Sequence, residues 1–139
     1  MTTSSEEHYR KLERLYVSAP INAYYSPTLK VAQGKAEVAF DIKRKMHHAA
    51  DAVHGSIYFK ALDDAAFFAA NSLVEEVFVL TASFTVYMLR PVSEGSLKAR
   101  GWVTHQTGRL FFAEAQLDDG NGQAIARGSG TFMRSRIRL

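Results

Sequence analysis

The sequence contains no cysteine. That absence excludes a disulfide framework, thiolate metal ligands and a cysteine nucleophile. Also lacking is any apolar run near the roughly 18 residues that a membrane-spanning helix needs. The opening residues, MTTSSEEHYR, are polar and partly acidic, and no apolar segment of the signal-peptide kind follows them. The chain therefore reads as a soluble, cytoplasmic protein. Charge of one sign is nowhere dense. The formal net charge is only +3, and the nearest approach to a basic cluster is the tail RSRIRL, where Arg134, Arg136 and Arg138 alternate. Without a basic face or a recognition motif, no nucleic-acid partner is expected, and the tail reads as solvated surface. The glycines form no phosphate loop. His47 and His48 are neighbours without a third ligand, so no metal site is expected. There is no linker, internal repeat or low-complexity tract.

What is present suits one domain. In 139 residues, 47% are hydrophobic and 12% aromatic, enough for a substantial core. Ser4 and Glu7 stand at the spacing of a capping box. Tyr9, Leu12, Leu15 and Tyr16 then recur at helical intervals until Pro20. This predicts an N-terminal helical segment over 1–20, packed on a single domain over 21–139. In GKAEVAFDIK, Ala36, Val38, Phe40 and Ile42 alternate with polar neighbours, as in a strand with one buried face. A long apolar stretch from Gly55 to Ala70 follows and predicts a helix buried nearly all round.

Past Glu76 the period returns to two. In TASFTVYM, strict alternation sends Thr81, Ser83 and Thr85 one way and Ala82, Phe84, Val86 and Met88 the other. Further strands are expected in SLKARGWVTHQ, with Lys98, Arg100, Trp102 and Thr104 outward, in RLFFAEAQLDD, and in QAIARGSGTFM. The turn DGNG separates the last two. Consecutive strands joined by tight turns are antiparallel, and no βαβ repeat is present. The expected architecture is α+β: one curled antiparallel sheet wrapped around a long helix.

Two aspartates, Asp63 and Asp64, interrupt that apolar helix. An ionised carboxylate there costs several kcal/mol unless it is paired or near water. Lys60 lies four residues before Asp64 and three before Asp63, so it can serve one of them. Asp64 is the better placed and reads as structural. Asp63 then requires another partner, exposure or a function. His8 reads as a surface residue, and His47 and His105 as polar fillers.

The segment His54-Gly55-Ser56, with Asp63 nine residues after the His, resembles the entry to the central helix of hotdog-fold acyl-CoA thioesterases of the phenylacetate-degradation type. LRPV (89–92), TGR (107–109) and ARGSGTFM (126–133) fit the same family in order and spacing. The resemblance runs from about Lys35 to Met133. It implies the hotdog fold, hydrolysis of an acyl-CoA thioester without a cofactor, and a homodimer that can pair into tetramers. It assigns the Gly55 N–H, at a helix N-terminus, as oxyanion donor, and Asp63 as general base or nucleophile. His54 orders the loop by hydrogen bonds. Thr81 lines the acyl pocket, and Arg90 and Arg109 meet the phosphates of coenzyme A. The chain departs from the family at three positions. His48 stands where Asn is usual, Asp51 where Gly is usual, and Ser56 replaces a second Gly. His48 is expected to keep a hydrogen-bonding role at the substrate, and Ser56 to cap the helix. Eight residues of helix separate Gly55 from Asp63 by about 12 Å, too far for both to act on one carbonyl, which favours a site shared between two subunits. The competing readings are a non-catalytic acyl-CoA-binding protein on the same scaffold and a hotdog dehydratase or hydratase.

Overall fold

The computed structural model describes residues 4–139. Helix α1 (Ser4–Ser18) ends before a short 3-10 turn at Pro20–Ala23, as the fixed φ of proline requires. Strands β1 (Thr28–Ala32) and β2 (Lys35–Asp41) form a hairpin about Gly34, whose φ is +68°. The long helix α2 (Gly55–Asn71) follows an irregular loop. Four antiparallel strands complete the chain: β3 (Val77–Met88), β4 (Ser96–Gln106), β5 (Leu110–Asp119) and β6 (Ala124–Arg138). All six strands belong to one sheet in the order β1-β2-β4-β5-β6-β3. β1 and β3 are therefore its edges.

The sheet curls around α2, and the fit depends on small residues. Ala61, Ala65, Ala66, Ala69 and Ala70 are essentially inaccessible. The closest approach is at Gly101 of β4. A methyl group built there would lie 2.4 Å from the Ala65 carbonyl and 2.6 Å from the Ala66 nitrogen. On β6, Gly128 and Gly130 leave the room that the Phe84 ring occupies, since added carbons would come within 2.5 and 2.4 Å of it. Phe84 stacks edge-on with Phe59 and Phe132. The ARGSGTFM segment is thus a strand whose glycines accept an aromatic from its neighbour.

Three expectations need correction. β1 was not anticipated: Leu29 and Val31 are buried in an alternating pattern, but two apolar residues in five give little periodic signal. His8 is not on the surface. It is only 6% exposed, and its Nε2 lies 2.8 Å from the carbonyl oxygen of Asn71 at the C-terminal end of α2, where helix carbonyls lack intrahelical partners. Asn71 is itself a buried junction. Its side chain accepts from the Val79 N–H and donates to the carbonyls of Val74 and Val77, fixing the start of β3 against the end of α2.

The third correction concerns the faces of β3. Thr81 pairs with Phe132, yet Ser83 pairs with Thr131. Two steps on β3 match one on β6, so Ala82 is the extra residue of a β-bulge. Thr81 consequently faces α2, on the side of Phe84, while Ser83 and Thr85 line the outer surface. Uninterrupted alternation had put Thr81 with Ser83 and Thr85.

Candidate active site

The loop entering α2 is held from several sides. The His47 ring bonds the Ser93 carbonyl, the Val53 N–H donates to Val92, and the His54 N–H donates to Met46. Asp51 has φ +61°, the left-handed conformation in which glycine is unstrained and aspartate is tolerated. The glycine usual in the resembling family at this position therefore has a backbone reason, and this chain meets it with a short polar residue. At His48, Nδ1 accepts the N–H of Ala50 at 3.0 Å. That is the local bond an asparagine side chain makes in an Asx turn, and with Nδ1 accepting, the ring keeps a donor at Nε2.

The helix cap is His54, whose Nδ1 accepts the Ser56 N–H at 3.0 Å and lies 2.8 Å from the Ser56 hydroxyl. Capping thus falls to His54 rather than to Ser56. The Gly55 N–H sits in the first turn, outside the ladder of the helix, where the positive end of the macrodipole is concentrated. Gly55 borders a cavity of about 360 Å³ together with His48, Tyr58, Met88 and Arg90. Any side chain at position 55 would crowd this opening, because an added carbon would meet Met88 Cε at 2.6 Å.

Two helical turns further on, Asp63 faces a different cavity of about 390 Å³, bounded by α1 and the 3-10 turn, by α2 and by the first half of β3. Asp63 Oδ1 accepts a hydrogen bond from the Thr81 hydroxyl at 2.9 Å. Burial pushes the Asp63 carboxyl up to about 6. The Thr81 bond opposes that rise, Asp64 adds to it, and Lys60 opposes it. Asp64 is held otherwise. The Tyr16 hydroxyl donates to its Oδ2 at 2.6 Å, and Lys60 Nζ bonds the same oxygen. Lys60 also lies over the rings of Tyr16 and Tyr25. Burial and Asp64 push the Tyr16 hydroxyl above its ordinary value, so it stays a donor. The expected Lys60–Asp64 pair is present. The Tyr16 contact spans 48 residues of sequence and left no local signal.

Replacing Thr81 by Val removes the one neighbour on β3 that stabilises ionised Asp63. The acid limb of a pH–rate profile governed by Asp63 then moves to higher pH, by roughly one unit. Rates measured from pH 4.5 to 8 with both proteins check this.

The sequence-derived residues thus fall into two groups. His48, Gly55 and Arg90 surround one cavity, with exposed His54 and Ser56 beside it, and Asp63 and Thr81 belong to the other. Arg109 lies in the β4–β5 turn, its carbonyl bonded by the Arg134 N–H, and borders neither. A larger hollow of about 440 Å³ lies on the outer face of the sheet. Its carboxylate, Glu37, is paired with Lys98 at 3.1 Å. Among the described residues no three His, Asp or Glu side chains cluster as a metal site would.

The thioesterase superfamily profile matches residues 51–126, a span that includes both cavities' α2 residues. The PaaI protein from the phenylacetic acid degradation operon of E. coli superposes with a TM-score of 0.87 at 19% identity, over 98% of this chain and 99% of that one. This likeness is one of fold, and identifies the sheet around α2 as the hotdog arrangement. A thioesterase family protein from Silicibacter pomeroyi is 29% identical, with a TM-score of 0.82 over 90% of this chain and 96% of its own. A thioesterase from Haemophilus influenzae gives 0.80 at 14% identity, over 96% and 91%.

Proposed function

The chain belongs to the thioesterase superfamily, and from that premise we propose that it hydrolyses an acyl-CoA thioester to the free acid and coenzyme A, in a site completed by a second copy of the chain. The observation that carries this reading is Asp63: a largely buried carboxylate, poised near pH 6 and held by Thr81 at the wall of a cavity. A base serves best when its pKa lies near the working pH. Ionised Asp63 takes a proton from water as that water attacks the thioester carbon. The Gly55 N–H of the other protomer receives the growing oxyanion, a contribution worth about 3 kcal/mol at comparable sites. Collapse of the tetrahedral intermediate breaks the C–S bond, and the proton held by Asp63 passes to the departing thiolate.

The second copy is required by distance. Gly55 and Asp63 are separated by about 12 Å of helix. Along β3, Met88 beside Gly55 and Thr81 beside Asp63 lie seven residues apart, roughly 23 Å. β3 is an edge with unpaired backbone groups, and Leu80, Tyr87, Met88 and Leu89 along it are all about half exposed or more. Antiparallel pairing of two such edges about a two-fold axis sets the Met88 end of one against the Thr81 end of the other. Each of two equivalent sites then receives Gly55 and Arg90 from one protomer and Asp63 from the other. Arg90 meets the phosphates of coenzyme A at the mouth, and Arg109 supplies charge further out.

Subunit hybrids test the shared site. Gly55→Pro removes the N–H at a position where helices accept proline, and His54, with φ −63° and ψ 143°, already has the extended backbone that a following proline prefers. Each of Gly55→Pro and Asp63→Asn is expected to be nearly inactive alone. Random reassociation of equal amounts should restore about one quarter of wild-type activity, since half the dimers regain one of their two sites. No recovery, with mixed dimers shown by mass, rejects the shared site. Thiol release that persists in Asp63→Asn favours a non-catalytic scaffold role for Asp63, and hydration of an enoyl-CoA without thiol release favours the dehydratase class.

A further inference from the structure

We infer that the N-terminal segment, residues 15–22, is the wall that selects the acyl group, and that it admits bulky, uncharged, apolar acyl chains or rings. This inference rests on the thioesterase reading for the position of the thioester. The 390 Å³ cavity at Asp63 has three sides. Leu15 and Ile21 form one, Phe67 of α2 the second, and Phe78 and Leu80 of β3 the third. Ile21 is 60% exposed, so a large apolar side chain flanks an opening beside the proposed base, opposite Leu80 of the edge strand that the proposed dimer pairs.

The polar groups of this cavity leave little for a charged ligand. Lys60 is bound to Asp64, whose Oδ2 also takes the Tyr16 hydroxyl. Asp63 Oδ1 holds Thr81. The cavity therefore offers no unpaired cation to a carboxylated acyl group, and a buried unpaired charge is costly. Apolar surface gains by entering. The volume lies at the low end of small-molecule sites, a size for the acyl portion alone.

The wall is also anchored. The Tyr16 hydroxyl bonds Asp64, Tyr16 packs edge-on to Phe68 with centroids 5.1 Å apart, and the Asn22 side-chain amide donates to the Tyr16 carbonyl at 2.7 Å. These contacts fix the backbone on either side of Ile21 to α2. A change of side chain at Ile21 thus alters the space and not the anchor, and Ile21 is exposed enough to be replaced without unfolding the protein.

The experiment compares wild type, Ile21→Trp and Ile21→Ala on acetyl-CoA, octanoyl-CoA and benzoyl-CoA. Ile21→Trp is expected to lower the octanoyl-to-acetyl ratio of kcat/KM about tenfold or more, and Ile21→Ala to shift preference toward larger groups. In parallel, the affinities for octanoyl-CoA and free coenzyme A are measured in Asp63→Asn with and without Ile21→Trp. A preference for octanoyl-CoA over coenzyme A that Ile21→Trp abolishes supports the wall even if no thioester is cleaved. Selectivity ratios that stay fixed in both variants, or octanoyl-CoA binding no tighter than coenzyme A with Ile21 in place, overturn it. Undiminished hydrolysis by Asp63→Asn instead strikes at the catalytic reading and leaves the binding comparison to decide the wall.

Discussion

Asp63→Asn is expected to lower kcat/KM for thioester hydrolysis by about a thousandfold, the middle of the range for removing a general base. Asparagine keeps the volume and can still accept the Thr81 hydroxyl, so the cavity retains its shape. What it loses is the ability to take a proton. On the proposed mechanism the same group is expected to set the acid limb in the wild-type protein, with kcat/KM falling as pH drops through about 6, where burial holds the Asp63 carboxyl. Initial rates of thiol release from pH 4.5 to 8 measure both effects. A limb unchanged in the variant, with only the amplitude reduced, would assign it to another group.

The same substitution has an opposite effect on stability. The folded-state pKa of Asp63 is raised from 3.8 to about 6. Below about pH 4 the carboxyl is protonated in both the folded and unfolded chain, and burial favours the folded one. As pH rises through 6 the folded protein must ionise a group that burial disfavours, and that contribution is lost. At 1.4 kcal/mol per unit, the loss is on the order of 2–3 kcal/mol at neutral pH. Asp63→Asn should therefore be the more stable protein above pH 7 by urea denaturation, with the difference vanishing near pH 4. A gain in stability beside a loss of turnover separates a retained functional acid from a structural one.

Gly101→Ala costs about 3 kcal/mol of stability, the upper part of the range for overpacking. The added methyl would lie 2.4 Å from the Ala65 carbonyl carbon and oxygen. Those are main-chain atoms of a helix enclosed by the sheet, so relief demands moving α2 as a body. α2 carries Gly55 at one end and Asp63 in its middle, and the displacement should lower turnover in the molecules that remain folded. Urea midpoints and kcat measured together check both. Gly55 is the contrast, since there the obstacle is the free end of an exposed Met88 side chain.

The core of this fold was legible wherever one physical period dominated. The apolar stretch of α2 and the alternation in β2, β4 and β5 specify their buried faces, and hence a sheet around a helix. The site was legible where it depends on residues close in sequence, as in the start of α2 at Gly55 and the Lys60–Asp64 pair, although the cap proved to be His54 where Ser56 was expected. Contacts made by folding were not. Tyr16 reaches Asp64, and His8 reaches the end of α2, across 48 and 63 positions; the helical spacing marks Tyr16 as inward but not its partner, and nothing in α1 itself distinguishes His8 from a solvated residue. β1 escaped notice because its burial is conferred by α1 and β2 rather than by its own composition.

The extra residue at Ala82 makes the partner of the acid a matter of counting. Side chains on a strand obey parity, so whether a hydroxyl at position 81 meets Asp63 or faces water is decided by an odd or even number of residues to the next paired position. Exchange of Ala82 for another small residue leaves that count alone, and its deletion would leave Thr81 opposite Phe132 and still facing Asp63, whereas a register in which Ala82 itself paired with Phe132 would turn Thr81 to the outer surface without altering either residue. In this protein a chemical relation is written into strand register, where a comparison of residue identities alone would pass over it.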